Sequence, residues 1–141
     1  MPKYSNKSAG LLAKVHEDLQ TIFNEVIKSR DCTILDSTVR TKEQQAEFVR
    51  TGASKTMDSK HLPQTDGKIY AVDAENYPVN FSDEKSQAHF AGFVLGVAAR
   101  LYAEGKISHK VRWGGDWNQN GKVTDGAPGD TFSDPQHFEL I

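Results

Sequence analysis

Ile69-Tyr70-Ala71-Val72-Asp73 is a short apolar run that ends on a carboxylate. It follows a stretch at 53–68 rich in Ser, Pro, Asp and Gly and precedes a helix-like segment opening at Ser82. Such a run reads as a strand between a loop and a helix. Upstream, Leu11, Leu12, Val15, Leu19, Ile22, Phe23, Val26 and Ile27 recur at three- and four-residue spacing, which predicts one long amphipathic helix at roughly 8 to 29. Cys32 to Val39 reads as a strand, and Thr41-Lys42-Glu43-Gln44 opens a second helix with capping-box spacing that ends near Gly52. Arg40 therefore falls at a strand-to-helix junction. Downstream, Ser82 caps a third helix, acidic in its first turn and buried along Phe90, Phe93, Val94, Val97, Leu101 and Tyr102, until Gly105. Strands follow at 110–113 and 136–140, separated by a Gly/Asn/Asp-rich stretch at 114–133. About three helices interleaved with short, mostly non-sequential strands predict an α+β domain with a small antiparallel sheet.

With 141 residues, no repeats and no linker, the chain reads as a single domain over 1–141. A protein of this size buries roughly two-thirds of its unfolded surface, so its core needs no staples. The lone Cys32 reads as a buried thiol. The first residues lack the apolar run of a signal peptide and no stretch approaches a membrane span of roughly 20 apolar residues, which predicts synthesis in the cytoplasm. Net charge is −2, but residues 116–139 hold five carboxylates and one lysine. That imbalance argues against nucleic acid and favours cation binding.

His61, Asp73 and His137 supply two imidazoles and one carboxylate, a set that holds catalytic zinc with its fourth position open, and so point to a hydrolase. Taken alone, His61 reads as a loop residue and His137 as a core one. His16 lies off the helical stripe and reads as a surface residue, and His89 as a packing or surface one.

Several short motifs together resemble the zinc peptidases that include D-alanyl-D-alanine carboxypeptidases, D-alanyl-D-alanine dipeptidases and bacteriophage L-alanyl-D-glutamate endolysins. They are Arg40-Thr41 with Gln44, Ser59-x-His61, Ala71-x-Asp73 and Asp134-x-x-His137, while Arg112-Trp113-Gly114-Gly115-Asp116-Trp117 is most similar to the phage endolysins. The resemblance spans nearly the whole chain and implies a hedgehog/DD-peptidase-like fold with zinc on His61, Asp73 and His137. One departure stands out. The family separates the first histidine and the aspartate by seven residues, whereas His61 and Asp73 are twelve apart. Pro63 to Gly67 reads as an inserted turn, which makes Asp66 a rival ligand.

The resemblance further implies that Asp134 is the catalytic base and Arg40 a cationic group for a peptide carboxylate or the developing oxyanion. Glu139 shares a strand face with His137 and reads as the partner that fixes its tautomer, or as a rival base. Ser59 and Gln44 are candidates for substrate contact, with local turn-capping and helix-capping as their alternatives. The implied function is hydrolysis of the L-alanyl-D-glutamate bond of peptidoglycan stem peptides during host lysis. The enzyme would be a monomer without a separate wall-binding domain, reaching the wall after crossing the inner membrane. A D-alanyl-D-alanine carboxypeptidase or dipeptidase, and a non-catalytic metal-stabilised binding module, are the alternatives.

A second cation site is expected in the acidic loop. Asp116, Asn118 and Asn120 occupy positions 1, 3 and 5 of an EF-hand-like loop, with Gly121 at 6, the Lys122 carbonyl at 7 and Asp125 at 10. Ala127 stands where the bidentate Glu belongs, so Asp125 or Asp130 would close a calcium site that regulates activity; a plain polar turn is the alternative. Trp113 and Trp117 bracket the loop as groove or core residues.

Overall fold

The side-chain alternation of two adjacent strands separates the core of this protein from its chemistry. In the computed structural model, which describes residues 2–141, β2 (Ala71–Asn76) pairs antiparallel with β4 (His137–Leu140), placing Asp73 opposite His137 and Ala71 opposite Glu139. Val72, Ala74, Phe138 and Leu140 point into the apolar core, so Asp73, His137 and Glu139 share the other face. β1 (Cys32–Ile34) and β3 (Val111–Trp113) complete a four-stranded antiparallel sheet in the order β1-β2-β4-β3.

Two helices cover the core face. α2 (Glu17–Val26) contributes Leu19, Ile22, Phe23 and Val26, and α4 (Glu84–Ala103) contributes Phe90, Ala91, Val94, Ala98 and Leu101. The rings of Phe23 and Phe90 both meet Phe138 edge-on, with centroids 5.7 and 6.2 Å away. Cys32 is buried in this core as a free thiol.

The α+β architecture and the small antiparallel sheet match the sequence reading; several boundaries do not. The helix expected at 8–29 is two helices, α1 (Asn6–Leu12) and α2. Val15 keeps the apolar stripe going through the break, but it bridges to Ile69, and the His16 amide donates to the Ile69 carbonyl at 2.9 Å. His16 is buried, not on the surface: its Nδ1 accepts the Asp18 amide as the N-cap of α2, and its ring packs edge-on against Tyr70 and His109.

The strand expected at 32–39 stops at Ile34 and gives way to a 3-10 turn at Asp36–Thr38. β2 runs past Asp73 to Asn76, so Asp73 sits inside a strand and not at its end. α3 (Lys42–Arg50) carries the expected capping box between Thr41 and Gln44. Asp83, not Ser82, caps α4 by accepting the Ser86 amide.

Candidate metal centre

Each of the three predicted ligands is delivered by a different device. Asp73 and His137 face each other across β2 and β4. His61 comes from the loop before β2, where Ser59 Oγ accepts its amide at 3.1 Å. The inserted residues close a turn in which the Gln64 amide donates to the Lys68 carbonyl, with Gly67 at φ +79°, and the chain returns as β2. Asp66 points elsewhere, accepting from the Lys68 amide and the Tyr70 hydroxyl. It is Asp73 that joins the two histidines.

His61 Nε2, His137 Nδ1 and Asp73 Oδ1 form a triangle with sides of 3.0, 3.1 and 3.6 Å. Ligand atoms on a tetrahedral zinc at its usual bond lengths are roughly 3.4 Å apart. All three residues are buried. Their outward atoms are already engaged: His61 Nδ1 donates to the Thr38 carbonyl at 3.1 Å, and His137 Nε2 to Glu139 Oε1 at 2.8 Å. Asp73 Oδ2 accepts from Ser37 Oγ at 2.6 Å and from Arg40 Nη2 at 2.9 Å.

Those bonds fix both tautomers so that lone pairs point inward, and Asp73 Oδ1 is buried without a hydrogen-bond donor. Three acceptors turned on one another repel unless a proton or a metal ion sits between them, and two imidazoles with one carboxylate fit a divalent metal. The site's electrostatics agree. Burial opposes charging of His137, but the Asp73 carboxylate beside it and its bond to Glu139 prevail and raise its pKa to about 9. Burial likewise opposes ionisation of Glu139, yet its bonds to His137 and Arg112 lower it to about 2.

Asp134 lies beside the triangle with Oδ2 4.0 Å from His137 Nδ1. Burial and the neighbouring Asp73 charge raise its pKa. Its backbone is pinned by Gly114, whose amide donates to the His137 carbonyl at 2.8 Å while its carbonyl accepts the Asp134 amide at 2.9 Å. A Cβ at Gly114 would lie 2.2 Å from the Asp134 carbonyl oxygen, so only glycine fits there.

Arg40 is more deeply committed than expected. Three of its five N–H groups bind Ser37, Gln45 and Asp73, and its guanidinium lies 4.5 Å from the centroid of the Phe48 ring. Two N–H groups remain, and Arg40 lines the clefts on both sides of the centre. Gln44 closes the capping box and lines one cleft; Ser59 lines the other.

Sequence reading missed Ser37, Thr38 and Gln45. Thr38 Oγ1 accepts the Asp73 amide, and Gln45 is fully buried between Arg40, Ser54 and the Thr56 carbonyl. The one available signal was the polar run Asp36-Ser37-Thr38 inside an apparent strand.

A second His/Asp group, His16, Asp18 and His109, has a different character. Asp18 Oδ2 accepts from both groups of Ser108 and from the amide and ring of His109, tying α2 to the entrance of β3. In the acidic loop, Asp116, Asn118 and Asn120 accept loop amides, and Asn120 Nδ2 donates to Asp125. Asp130 is buried, takes the Trp117 amide on Oδ1 and leaves Oδ2 without a partner. Trp113 is a core residue bonded to the Pro135 carbonyl, whereas Trp117 lines the cleft with its ring 5.3 Å from that of His137.

Comparison with known proteins bears on the fold and the family. No curated protein matches the chain. The crystal structure of the Serratia marcescens L-Ala D-Glu endopeptidase ChiX has the same fold, with a TM-score of 0.70 at 24% identity over 99% of this chain and 90% of that one. The family model described as phage L-alanyl-D-glutamate peptidase matches residues 1–141, and the chain belongs to that family.

Proposed function

We propose that this peptidase is a zinc-dependent endolysin that cuts the L-alanyl-D-glutamate bond of the peptidoglycan stem peptide, with 1–141 acting as one catalytic unit. The observation that carries the metal assignment is the inward-facing acceptor triangle of His61, Asp73 and His137, whose outward atoms are all satisfied. Two imidazoles and one carboxylate suit zinc better than magnesium or calcium, which prefer more oxygens. Zinc, when bound, supplies Lewis acidity toward the scissile carbonyl and lowers the pKa of water toward about 7.

The chain's own residues do the rest. Asp134 takes the proton of the attacking water and passes it to the leaving nitrogen, a task suited to a carboxylate of raised pKa. Arg40 holds Asp73 through Oδ2 and turns its remaining N–H groups to the oxyanion. Glu139 and Thr38 keep the two imidazoles in their metal-binding tautomers. Ser59 orients the His61 loop, and Gln44 lies on the wall of the apolar cleft.

Digestion of purified peptidoglycan should expose new amino groups on D-glutamate. Free D-alanine instead would replace this reading with a carboxypeptidase. No helix among the described residues is long and apolar enough to cross a membrane.

Metal uptake has a defined pH dependence. In the metal-free protein the folded pKa of His137, about 9, exceeds its ordinary 6.5. That contribution to stability is complete below the ordinary value and is lost as pH rises through about 9. Binding zinc displaces the same proton, so apparent affinity should rise about tenfold per pH unit between pH 7 and 8.5. The gap in melting temperature between zinc-loaded and chelated protein should widen from pH 6 to 8.5; a constant gap would contradict the assignment.

We also propose calcium in the Asp116–Asp125 loop, with Asp116, Asn118, Asn120, the Lys122 carbonyl and Asp125 as ligands. The buried, unpartnered Asp130 Oδ2 beside Trp117 supports it, as the alternative to Asp125 for closing the site. Calcium added to zinc-restored, chelator-treated enzyme should raise lytic activity; indifference would leave the loop as a polar turn.

A further inference from the structure

Two clefts of opposite character meet at the metal centre. The first, about 600 Å³, has apolar walls from Leu35, Val39, Phe48 and Phe81, and Arg40 is its one cation among Asp36, Glu47, Asp73 and Asp134. The second, about 440 Å³, carries Arg40, Lys55, Lys60 and Arg112 against Asp58, Asp134 and Glu139. Arg40 and Asp134 line both, so a peptide bond held at the centre sends one flank into each cleft.

A glutamyl residue in a chain keeps one carboxyl off the main chain, whichever carboxyl carries the peptide onward, and that carboxyl is ionised unless amidated. The residue beyond the scissile nitrogen is therefore anionic, and the alanyl side chain on the other side is small and apolar. We propose that the D-glutamyl side occupies the cationic cleft and that Arg112 reads its free carboxylate. This rests on the L-alanyl-D-glutamate reading above and adds the direction and the specificity residue.

Arg112 is singled out by its surroundings. Lys60 already donates to the Leu140 carbonyl and stands 3.4 Å from Glu139 Oε2. Lys55 lies over the Phe132 ring at the cleft rim without an ion-pair partner among the described residues. The Arg112 guanidinium is fixed on one edge by Glu139 Oε2 at 2.8 Å and lies 5.4 Å from the centroid of the Trp117 ring. Among the described residues Glu139 is its one acceptor, and its Nε is buried without a partner.

The result is a guanidinium held in place with donors to offer, two contacts from His137 through Glu139. Glu139 does not cancel it, since Lys60 and Arg112 together exceed that single carboxylate by one positive charge. Arg40 is less available for the task, because it is turned onto Asp73.

The test compares two peptides that differ in one group, an L-alanyl-D-glutamyl substrate with its free carboxylate and the same peptide with that carboxylate amidated. Wild-type enzyme should favour the acid by about 10- to 100-fold in kcat/KM, the range for a charge-assisted hydrogen bond. In Arg112→Gln the ratio should fall to within about threefold, with zinc content retained. Arg112→Lys, which keeps the charge, should hold part of the preference and guards against a folding defect in the glutamine variant. Calorimetry should show the product peptide that begins with D-glutamate binding about tenfold more weakly to Arg112→Gln. An unchanged acid-to-amide ratio in Arg112→Gln, or an equal loss on both substrates, overturns the assignment. Failure of wild type to cut either peptide would instead refute the bond specificity on which it rests.

Discussion

Asp134→Asn should lower kcat by about 10²- to 10⁴-fold while leaving zinc content at one equivalent. The side chain stands beside the triangle without belonging to it, so the three proposed metal ligands survive the change. Stability should move the opposite way. The folded pKa of Asp134 is raised by burial and by Asp73, so its ionised form at neutral pH is less favourable folded than unfolded. A carboxylate of this kind contributes stability below its ordinary pKa and loses it as pH rises through the raised one. The metal-free asparagine variant should therefore melt above metal-free wild type at pH 7. Full turnover by Asp134→Asn would remove it as the base, and a lower melting temperature would show that its charge is compensated.

Gly114→Ala should harm folding and chemistry together. The added methyl would overlap the Asp134 carbonyl at 2.2 Å and press on His137 Cβ at 3.0 Å, both in backbone-anchored segments that cannot swing aside. Overpacking of this severity costs about 3 kcal/mol, or about 10 °C in melting temperature for a domain of this size. The displaced groups are the proposed base and a proposed ligand, and a misplacement near 1 Å costs roughly 10²-fold in rate. A variant that melts and cleaves like wild type would show that Gly114 is not pinched between the two.

That His61, Asp73 and His137 meet was legible because each stands in a short motif and because strand alternation carries local information. Once Ala71 to Asp73 and His137 to Leu140 read as strands, the sides of Asp73 and His137 followed. What positions them was not legible. Ser37 and Arg40 reach Asp73 across more than thirty residues, and no periodicity in Asp36-Ser37-Thr38 announces a turn aimed at a distant carboxylate. His16 misled for a related reason: the apolar stripe continues through Val15, so the break shows only in the contacts with Ile69 and Tyr70. The stretch 114–133 reads as loop in both sequence and structure, yet Trp117 belongs to the cleft, with its ring against that of His137 and its amide held by Asp130.

The exact opposition of Asp73 and His137 has a mechanical consequence. Sliding β4 by one residue along β2 would exchange the two faces of the shorter strand, bringing Phe138 to the polar side and His137 among the aromatics. The proposed ion, touching both strands at once, would tolerate no such slip and would act as a proofreader of strand alignment. Amides on these two strands should then exchange with solvent faster after chelation, while those of α2 and α4 keep their protection.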